Sequence, residues 1–157
     1  MEKMRTATDS YTEQIQIVMS NHINGANRLF GGRLLEWIDV VAGVVAKRHA
    51  QSNVTTASVD NLQFKSAAYL NDTLVLTGKV TYVGNSSMEV RVDTYVEDLN
   101  GMRRPINRAY LVMVALDENE KPIRVPRLTL TTEAERAEWE GAVKRNEYRT
   151  YRRKEGF

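Results

Sequence analysis

The chain has 157 residues, 42% of them hydrophobic, a size and composition that suit one globular domain with a substantial core. Twenty-two basic and twenty acidic residues give a net charge of +2, too close to balance to predict nucleic acid or another polyanion as the main partner. The absence of cysteine excludes disulfides, thiolate metal ligands and cysteine nucleophiles.

The first part of the chain reads as a loose segment, a strand and a loop. Residues 1–10 are polar and predict a loosely held segment. Thr12 to Val18 alternates, with Ile15 and Ile17 on one face, which predicts a half-buried strand. Ser20–Leu29 is rich in Asn and predicts a loop.

A long helix is predicted from Gly31 to about His49. Its β-branched stretch VVAGVV is also typical of strands, but almost twenty uninterrupted residues exceed an ordinary strand. Trp37, Val40 and Val44 lie off the main apolar stripe, so the helix is apolar nearly all round. Such a helix is expected to be wrapped by other elements.

The spacing then changes to that of strands, predicted over Val54–Phe64, Thr73–Val83, Ser87–Glu97 and Asn107–Leu116. In the third of these, Glu89, Arg91 and Asp93 alternate with apolar residues and predict one wet face and one dry face. The last of them is continuously apolar and is expected to be central. A capping-box pattern at Thr132–Glu135 predicts a C-terminal helix.

This order predicts an α+β fold with one domain over residues 1–157. Its core spans about 12–127, and a C-terminal helix with a basic tail spans about 132–157. An antiparallel sheet that buries an apolar helix must curl around it.

Two features of the predicted helix are candidates for a binding or catalytic site. Its start at Gly31-Gly32 leaves backbone N–H groups available to an anion or a developing oxyanion. Asp39 follows among apolar neighbours, so its carboxylate is either paired, with Arg33 or Lys47, or functional. Gly32 and Asp39 are about 10 Å apart along the helix, so a site that uses both needs two chains.

The stretch that contains these features resembles the signature of the hot-dog-fold acyl-CoA thioesterases, in the branch of YciA-like enzymes and brain acyl-CoA hydrolase. The matching residues are Asn24 in the loop, Phe30-Gly31-Gly32 and Asp39. The resemblance implies a hot-dog fold and hydrolysis of acyl-CoA to a free fatty acid and coenzyme A. Asp39 would then be general base or nucleophile, Gly31 and Gly32 would stabilise the oxyanion, and Asn24 would orient water or thioester from across a dimer interface.

The resemblance also implies where coenzyme A binds. The turn V-G-x-S-S of the family contacts coenzyme A, and here it consists of Gly84, Asn85, Ser86 and Ser87 after Val83. Position x is often basic in relatives, so Asn85 is a departure. Thr56 matches a position that lines the site. Phe64–Ala67 reads F-K-S-A where relatives tend to read F-x-K-P, so Lys65 is not assigned a role.

Other chemistries have little support in the sequence. There is no Gly-x-Ser-x-Gly elbow, phosphate-binding P-loop, dinucleotide fingerprint or metal-ligand spacing. His22 is predicted to be a solvated loop histidine, although its position leaves a general-base role open. The basic tail Lys144–Lys154, with its interleaved tyrosines, is predicted to be solvated or to face the coenzyme rather than to bind nucleic acid.

The sequence therefore predicts an acyl-CoA thioester hydrolase without a metal or redox cofactor, since coenzyme A enters only as part of the substrate and product. The expected assembly is a homodimer at least, and by resemblance a hexamer built as a trimer of dimers. No apolar stretch suits a signal peptide or a membrane span, so a cytoplasmic location is expected. Two alternatives stay open: a hydratase or dehydratase of the same fold, and a non-catalytic acyl-CoA-binding regulator.

Overall fold

The computed structural model describes residues 2–157, except for the side chain of Asn61. Its elements in chain order are β1 Met4–Thr6, α1 Ala7–Ser10, β2 Thr12–Ile17, α2 Gly31–Ala50, β3 Asn53–Phe64, β4 Thr73–Val83, β5 Ser87–Glu97, β6 Arg103–Leu116, β7 Arg127–Thr129 and α3 Glu133–Glu155. A short 3₁₀ turn, Ser20–His22, lies in the loop before α2. The predicted long helix, four long strands and C-terminal helix are confirmed.

Five strands form one antiparallel sheet in the order β2-β4-β5-β6-β3. Helix α2 contacts all five of them, which requires the sheet to curl around the helix as predicted. The expectation that the last of the four long strands is central is wrong, because β5 is the central strand and β6 lies between it and the edge strand β3. β2 and β3 are the two edges, so each has one side without a strand partner in the described chain.

The close approach of α2 to the sheet depends on a glycine in β4. A Cβ atom at Gly78 would lie 2.7 Å from Val41 Cγ1 and 2.9 Å from Val45 Cγ2. Because such distances are shorter than van der Waals contact, only glycine lets these two valines of α2 reach the backbone of β4. Both valines are fully buried.

Strand β2 was predicted correctly, but the predicted apolar face is turned outward. Ile15 is 60% exposed and Ile17 is also exposed, whereas Gln14 and Gln16 are half-buried. The alternation of β2 defines two faces, but its position at the edge of the sheet decides which face the core can use. An exposed apolar row therefore runs along this edge, formed by Tyr11, Ile15, Ile17 and Met19.

The charged face of β5 is also different from the prediction, because α3 covers it. Glu89 is only 2% exposed, and Arg145 and Arg149 of α3 form ion pairs with it at 2.8 and 2.5 Å. Asp93 is buried as well and accepts from Arg91 and Arg108. This face is dry but charged, because the arginines of α3 and of the neighbouring strands supply the counter-charges.

The predicted loose segment at the start of the chain is wrong for residues 4–10, and Met1 lies outside the described residues. β1 pairs in parallel with β7, with Met4 opposite Arg127 and Thr6 opposite Thr129. α1 follows at once and packs against α2. This pairing joins residues more than 120 positions apart, which local sequence patterns do not reveal.

Helix α2 is not wrapped on all sides within one chain. Leu34, Ile38 and Val45 are buried, but Val40 is 51% exposed and Asp39 beside it is exposed too. The curled sheet covers only one side of the helix. The exposed apolar side chain of Val40, next to Asp39, is thus left open by the fold of one chain.

Candidate functional site

The loop before α2 fixes the side chain of Asn24. Its Oδ1 accepts hydrogen bonds from the backbone N–H of Ala26 at 2.9 Å and of Arg28 at 3.3 Å. The backbone N–H of Asn24 also donates to the carbonyl of Arg28 at 2.8 Å. Asn24 is therefore a turn former, and its Nδ2 group, which donates to no acceptor in residues 2–157, is the end available to a ligand.

His22 accepts hydrogen bonds from both ends of this loop. Its Nδ1 accepts from the N–H of Met19 at 3.0 Å, and its carbonyl accepts from the N–H of Phe30 at 2.9 Å. The ring is half-buried and packs edge-on against Trp37, with centroids 5.0 Å apart. The expectation of a solvated histidine is therefore wrong, because its ring is an anchor for the loop.

Helix α2 begins at Gly31, as predicted, with two N–H groups left open. The N–H groups of Arg33 and Leu34 donate to the carbonyl of Phe30, at 3.0 and 3.2 Å. Those of Gly31 and Gly32 donate to no acceptor within residues 2–157. At the positive end of a twenty-residue helix, they are suited to a developing negative charge.

The aromatic rings around the helix start explain why glycine stands there. A Cβ atom at Gly32 would lie 2.7 Å from the ring of Phe30, and one at Gly31 would lie 3.4 Å from the ring of Phe64. Larger residues would push these rings aside. The two glycines thus allow the helix start to lie directly under two phenylalanines.

Asn24 and Gly31 line the same cavity, of about 410 Å³. Its floor is apolar, since Leu34, Ala68 and Ile106 are buried there. The remaining lining residues lie nearer to solvent and are Arg28, Leu29, Phe64, Lys65, Ser66 and Ala67. This cavity, which we call the helix-start cavity, brings together two of the predicted site elements and an apolar space beside them.

Asp39 lies elsewhere on α2, where it contacts Thr56 of β3. Thr56 Oγ1 donates to Asp39 Oδ1 at 2.7 Å. Neither cation that the sequence offered as a salt-bridge partner is near: Arg33 pairs with Glu36 at 3.3 Å, and Lys47 forms no ion pair in residues 2–157. Asp39 is thus a carboxylate without a cation partner in the described chain, held by a neutral hydroxyl.

The structure therefore separates the predicted site residues into two groups. Asn24 and Gly31 line the helix-start cavity, whereas Asp39 and Thr56 do not. Gly32 and Asp39 are separated by seven residues of regular helix, about 10 Å at 1.5 Å per residue. One chain alone does not bring Asp39 to the open N–H groups.

The turn from Gly84 to Ser87 has its carbonyl groups engaged, and the N–H groups of Asn85 and Ser86 are free. The carbonyls of Asn85 and Ser86 accept from Val125 and Ala115, both at 2.9 Å. The N–H groups of Asn85 and Ser86 donate to no acceptor in the part of the chain that the structure describes. Open N–H groups on small residues are typical of phosphate-binding turns.

Two arginines beside this turn were not found from the sequence. Arg124 Nη1 donates to Asn85 Oδ1 at 2.8 Å, and Arg127 Nη2 donates to the Gly84 carbonyl at 2.6 Å. They lie about forty residues further along the chain, so nothing in the local pattern indicated them. Two positive side chains thus lie next to Asn85, and both also form ion pairs with Glu2.

The basic tail is partly tied to the sheet. Arg145 and Arg149 pair with buried Glu89, and Arg149 and Arg152 pair with Asp60 of β3. The expected solvated tail is therefore wrong for these arginines. Their spacing of four residues, opposite a strand face that carries an acid, was the signal available in the sequence.

His49, near the end of α2, is fully buried. Its Nε2 donates to the carbonyl of Pro126 at 2.8 Å, while its Nδ1 has no partner among the described residues. Burial lowers the pKa of His49, and the nearby Arg5 and Arg127 lower the pKa further, against the opposite effect of the hydrogen bond to Pro126 and of Asp9. The histidine is therefore neutral near pH 7.

No group of three or more His, Cys, Asp or Glu side chains within residues 2–157 has an arrangement that holds a metal ion. In the same part of the chain, no helix combines the length and hydrophobicity needed to cross a bilayer.

With this geometry in hand, comparison with known proteins decides the family. The family described as the thioesterase superfamily matches residues 26–102, a range that holds the start of α2, Asp39, Thr56 and the Gly84–Ser87 turn. The chain is also similar to an uncharacterized acyl-CoA thioester hydrolase, YkhA of Bacillus subtilis, with 36% identity over 157 residues, 96% of this chain and 91% of the relative. This chain belongs to the hot-dog thioesterase superfamily.

Two solved structures of thioesterases have the same fold. A hexameric acyl-CoA thioesterase in its apo form matches this chain with a TM-score of 0.91 and 39% identity, covering 96% of this chain and 97% of its own. The acyl-CoA hydrolase of Staphylococcus aureus, in complex with butyryl coenzyme A, coenzyme A and coenzyme A disulfide, matches with a TM-score of 0.93 and 33% identity. That match covers 98% of this chain and 94% of the hydrolase.

The Staphylococcus aureus hydrolase has also been solved with single alanine substitutions of an asparagine, an aspartate and a threonine. These three residues follow one another at intervals of fifteen and seventeen positions. In this thioesterase Asn24, Asp39 and Thr56 stand at the same intervals.

Proposed function

We propose that this thioesterase hydrolyses acyl-CoA thioesters, releasing a free fatty acid and coenzyme A, with Asp39 as its reactive carboxylate. The observation that carries the proposal is the contact of Asp39 with Thr56. The carboxylate has no cation partner in residues 2–157, and one of its oxygens accepts a hydrogen bond of 2.7 Å. The other oxygen is left to act on water or on the substrate.

In the first route Asp39 is a general base. It takes a proton from a water molecule, and the oxygen of that water attacks the thioester carbonyl carbon. The tetrahedral intermediate then collapses, the C–S bond breaks, and the sulfur of coenzyme A leaves with the proton that Asp39 had taken. The fatty acid carries the oxygen of the water.

In the second route Asp39 is the nucleophile. Its free oxygen attacks the carbonyl carbon, the C–S bond breaks, and a mixed anhydride joins the acyl group to Asp39. Water then hydrolyses the anhydride and regenerates the carboxylate. A rapid acid quench during a single turnover, followed by intact-protein mass spectrometry, distinguishes the routes, since only the second gives an acyl-enzyme adduct.

Both routes place negative charge on the thioester oxygen, and the start of α2 is suited to stabilise it. The N–H groups of Gly31 and Gly32 lie at the positive end of the helix, and Asn24 lines the same cavity as Gly31. Asp39 of the same helix is about 10 Å away from Gly32, too far to act on one carbonyl with them. We infer that Asp39 and Thr56 of one chain act with Asn24, Gly31 and Gly32 of a second chain.

The surface around Asp39 supports such a dimer. β3 is a twelve-residue edge strand with exposed residues, and the exposed Val40 lies beside Asp39 on α2. A long edge strand without a strand partner is a template for a second copy of the chain. The proposed dimer pairs at this edge, so that each active site contains residues from both chains.

We infer further assembly of dimers into a hexamer. The apo thioesterase to which this chain is similar is hexameric, and the apolar row Tyr11, Ile15, Ile17 and Met19 lies at the opposite edge of the sheet from β3. Exposed apolar rows of this kind are frequent at subunit contacts. The particle mass in solution tests this assembly, since a dimer alone would contradict it.

Coenzyme A is proposed to bind at the Gly84–Ser87 turn. The N–H groups of Asn85 and Ser86 are open donors for its phosphates, and Arg124 supplies a cation beside them. Thr56 is proposed to face the thioester end of the same substrate. No metal or redox cofactor enters either route.

The test of the proposed function is release of thiol from acyl-CoA substrates of graded chain length. We expect release of one coenzyme A for each fatty acid formed. Binding of acyl-CoA without thiol release would indicate a non-catalytic regulator. Change of the acyl group with the thioester intact would indicate a hydratase or dehydratase.

A further inference from the structure

We propose that His22 is a positioning residue for the hydrolysis, which acts through Asn24 by holding the loop of residues 18–30 against the start of α2. This inference rests on the proposed function, because it takes Asn24 Nδ2 to act on the thioester oxygen together with the open N–H groups of the helix. His22 itself neither touches the substrate nor moves a proton.

The first support is the backbone of His22, at which the loop closes. Its N–H donates to the carbonyl of Met19 at 2.9 Å, and its carbonyl accepts from the N–H of Phe30 at 2.9 Å. Phe30 directly precedes the first residue of α2. A single residue therefore joins the start of the loop to the start of the helix, and Asn24 follows it by two positions.

The second support is the ring of His22, which ties the loop to the body of α2. Its Nδ1 accepts from the N–H of Met19 at 3.0 Å. The ring packs edge-on against Trp37, with centroids 5.0 Å apart, and Trp37 is buried in the second turn of α2. The hydrogen bonds of Asn24 Oδ1, in contrast, reach only backbone groups of the same loop. They fix the shape of the turn, whereas His22 fixes where the turn lies relative to the helix.

The third support is the state of the ring nitrogens, which does not suit a general base. A neutral imidazole has one acceptor nitrogen and one N–H group. Because Nδ1 of His22 accepts from Met19, it is the acceptor nitrogen, and the hydrogen is on Nε2. A proton could be taken up only by breaking this hydrogen bond and placing one N–H against another. The histidine is therefore suited to hold the loop rather than to activate water.

The position of Asn24 matters because a donor stabilises an oxyanion only at hydrogen-bond distance. The donor atoms must lie about 2.7–3.1 Å from the oxygen, and misplacement by about 1 Å can cost ~10²-fold in rate. The donors proposed for the oxyanion are Asn24 Nδ2 and the N–H groups of Gly31 and Gly32, which belong to the loop and to the helix. Their mutual distances are thus set by the groups that join loop and helix, and His22 is at that junction.

The experiment compares two variants that separate the hydrogen bond of His22 from its packing. His22→Phe keeps a ring against Trp37 but has no acceptor for the N–H of Met19. His22→Asn loses most of the ring, yet its Oδ1 offers an acceptor at nearly the place of Nδ1. We expect His22→Phe to lower kcat by about tenfold to a hundredfold, since Asn24 is then misplaced. His22→Asn should retain most of the activity.

Further readouts distinguish positioning from a general loss of structure. KM for short acyl-CoAs and the inhibition constant of free coenzyme A should change little in either variant, because the Gly84–Ser87 turn is not part of this loop. Thermal unfolding checks that both variants are folded. Should His22→Phe fail to fold, His22→Ala, which also lacks the acceptor, replaces it in the same comparison.

The matched control is Asn21→Ala. Asn21 is an exposed residue of the same 3₁₀ turn, and its side chain forms no hydrogen bond among the described residues. This variant should keep the wild-type kcat, because it leaves the contacts of His22 with Met19 and Trp37 in place.

A double-mutant comparison tests whether His22 acts through Asn24. If it does, adding His22→Phe to Asn24→Ala should cost little more, since no amide is left to position. The residual hydrolysis of these proteins is measured at high enzyme concentration. A combined loss equal to the product of the two single losses would show that His22 acts independently of Asn24 and would overturn the proposal.

The outcomes also separate this inference from the proposed function. If wild type releases no thiol from any acyl-CoA, the proposed function itself fails. If wild type is active and a folded His22→Phe variant is equally active, His22 has no positioning role. If His22→Asn loses as much kcat as His22→Phe or more, the hydrogen bond to Met19 is not what positions the loop, and the proposal is overturned.

Discussion

Thr56 of the edge strand β3 donates its hydroxyl hydrogen to Asp39 of α2 at 2.7 Å, across seventeen residues of sequence. The bond fixes one carboxylate oxygen and leaves the other free. It also ties the central helix to the strand at which a second chain is proposed to pair. The first prediction concerns this pair.

Asp39→Asn is expected to lower kcat by about a hundredfold or more, because general-base catalysis typically contributes ~10²–10⁴. Asp39→Ala should act similarly. The measurement is steady-state hydrolysis by variants whose thermal unfolding matches wild type. Glu36→Gln is the control, since Glu36 is an exposed carboxylate on the same helix. Well-folded Asp39 variants with near-normal turnover would exclude the mechanism.

Two variants of Thr56 test, in the same assay, whether its hydroxyl orients Asp39 or its side chain only packs against it. Thr56→Val keeps the shape of the side chain but removes the donor, and should lower kcat by roughly tenfold or more, the equivalent of a hydrogen bond to a charged group. Thr56→Ser keeps the hydroxyl and should retain most activity.

The second prediction tests the shared site. Chains with Asn24→Ala and chains with Asp39→Ala should each form inactive dimers, because every site lacks one residue. In a mixed dimer one site regains both residues, so random mixing of equal amounts should restore about a quarter of wild-type activity. Mixed dimers that are demonstrated by mass spectrometry and remain inactive would show that each site lies within one chain.

The third prediction concerns coenzyme A. Gly84→Val should raise KM for short acyl-CoAs, where the coenzyme supplies most of the binding energy. Gly84 is not among the residues with positive φ, so a left-handed backbone is not the reason for this effect. The effect comes instead from crowding: a Cβ atom there would lie 2.6 Å from Ser87 Oγ, so this hydroxyl must turn aside, and the branched valine side chain adds bulk in the turn that carries the open N–H groups. Arg124→Gln should raise KM less, and mainly at low salt.

The contribution of the basic tail to coenzyme A binding is better tested by a point variant than by a truncation. Cutting the chain after Glu140 would remove Arg145 and Arg149, the cations of Glu89, together with most of the helix that covers this face of β5. Loss of folding would then conceal any loss of coenzyme binding. Arg153→Gln, an exposed arginine outside the ion pairs found in residues 2–157, tests the charge of the tail alone. An effect of Arg153→Gln larger than that of Gly84→Val would reverse these roles.

The fourth prediction concerns the stability of the α3 contact. Burial by itself raises the pKa of Glu89, but hydrogen bonds from Arg145, Thr81 and Arg149 outweigh this effect and leave the pKa below its ordinary value. Glu89→Ala leaves two arginines without their shared acid and should cost about 3–5 kcal/mol in the free energy of unfolding. Chemical denaturation measures it. Glu97→Ala, which breaks a more exposed pair with Arg103, should cost about 1 kcal/mol or less.

The fifth prediction concerns the dependence of stability on pH. His49 has a lowered pKa in the folded chain, so between that pKa and the unfolded value near 6.5 the unfolded chain binds more protons. The free energy of unfolding should therefore fall as the pH falls below about 6.5, by at most about 1.4 kcal/mol per pH unit. His49→Gln, which can still donate to Pro126, should reduce this slope. An unchanged slope in a folded variant would contradict the assignment.

The sequence by itself determined the features that depend on neighbouring residues. The start of α2 at Gly31, the approximate extent of the four long strands and the capped start of α3 follow from periodicity, glycine placement and capping, which act over a few residues. The start of β6 was predicted four residues too late, at Asn107 instead of Arg103. The separation of Gly32 from Asp39 is likewise fixed by helix geometry alone. Asn24 in a turn and Asp39 on the helix were identified from a local signature.

Only the tertiary structure decided which faces are used and which distant groups meet. The alternation of β2 was correct, but its place at the sheet edge turned Ile15 and Ile17 outward. The charges of β5 are dry because α3 covers them, and Arg124 reaches Asn85 across 39 residues. Periodicity defines the two faces of a strand, whereas burial depends on what packs against each face. That packing joins residues far apart in sequence, which no local pattern encodes.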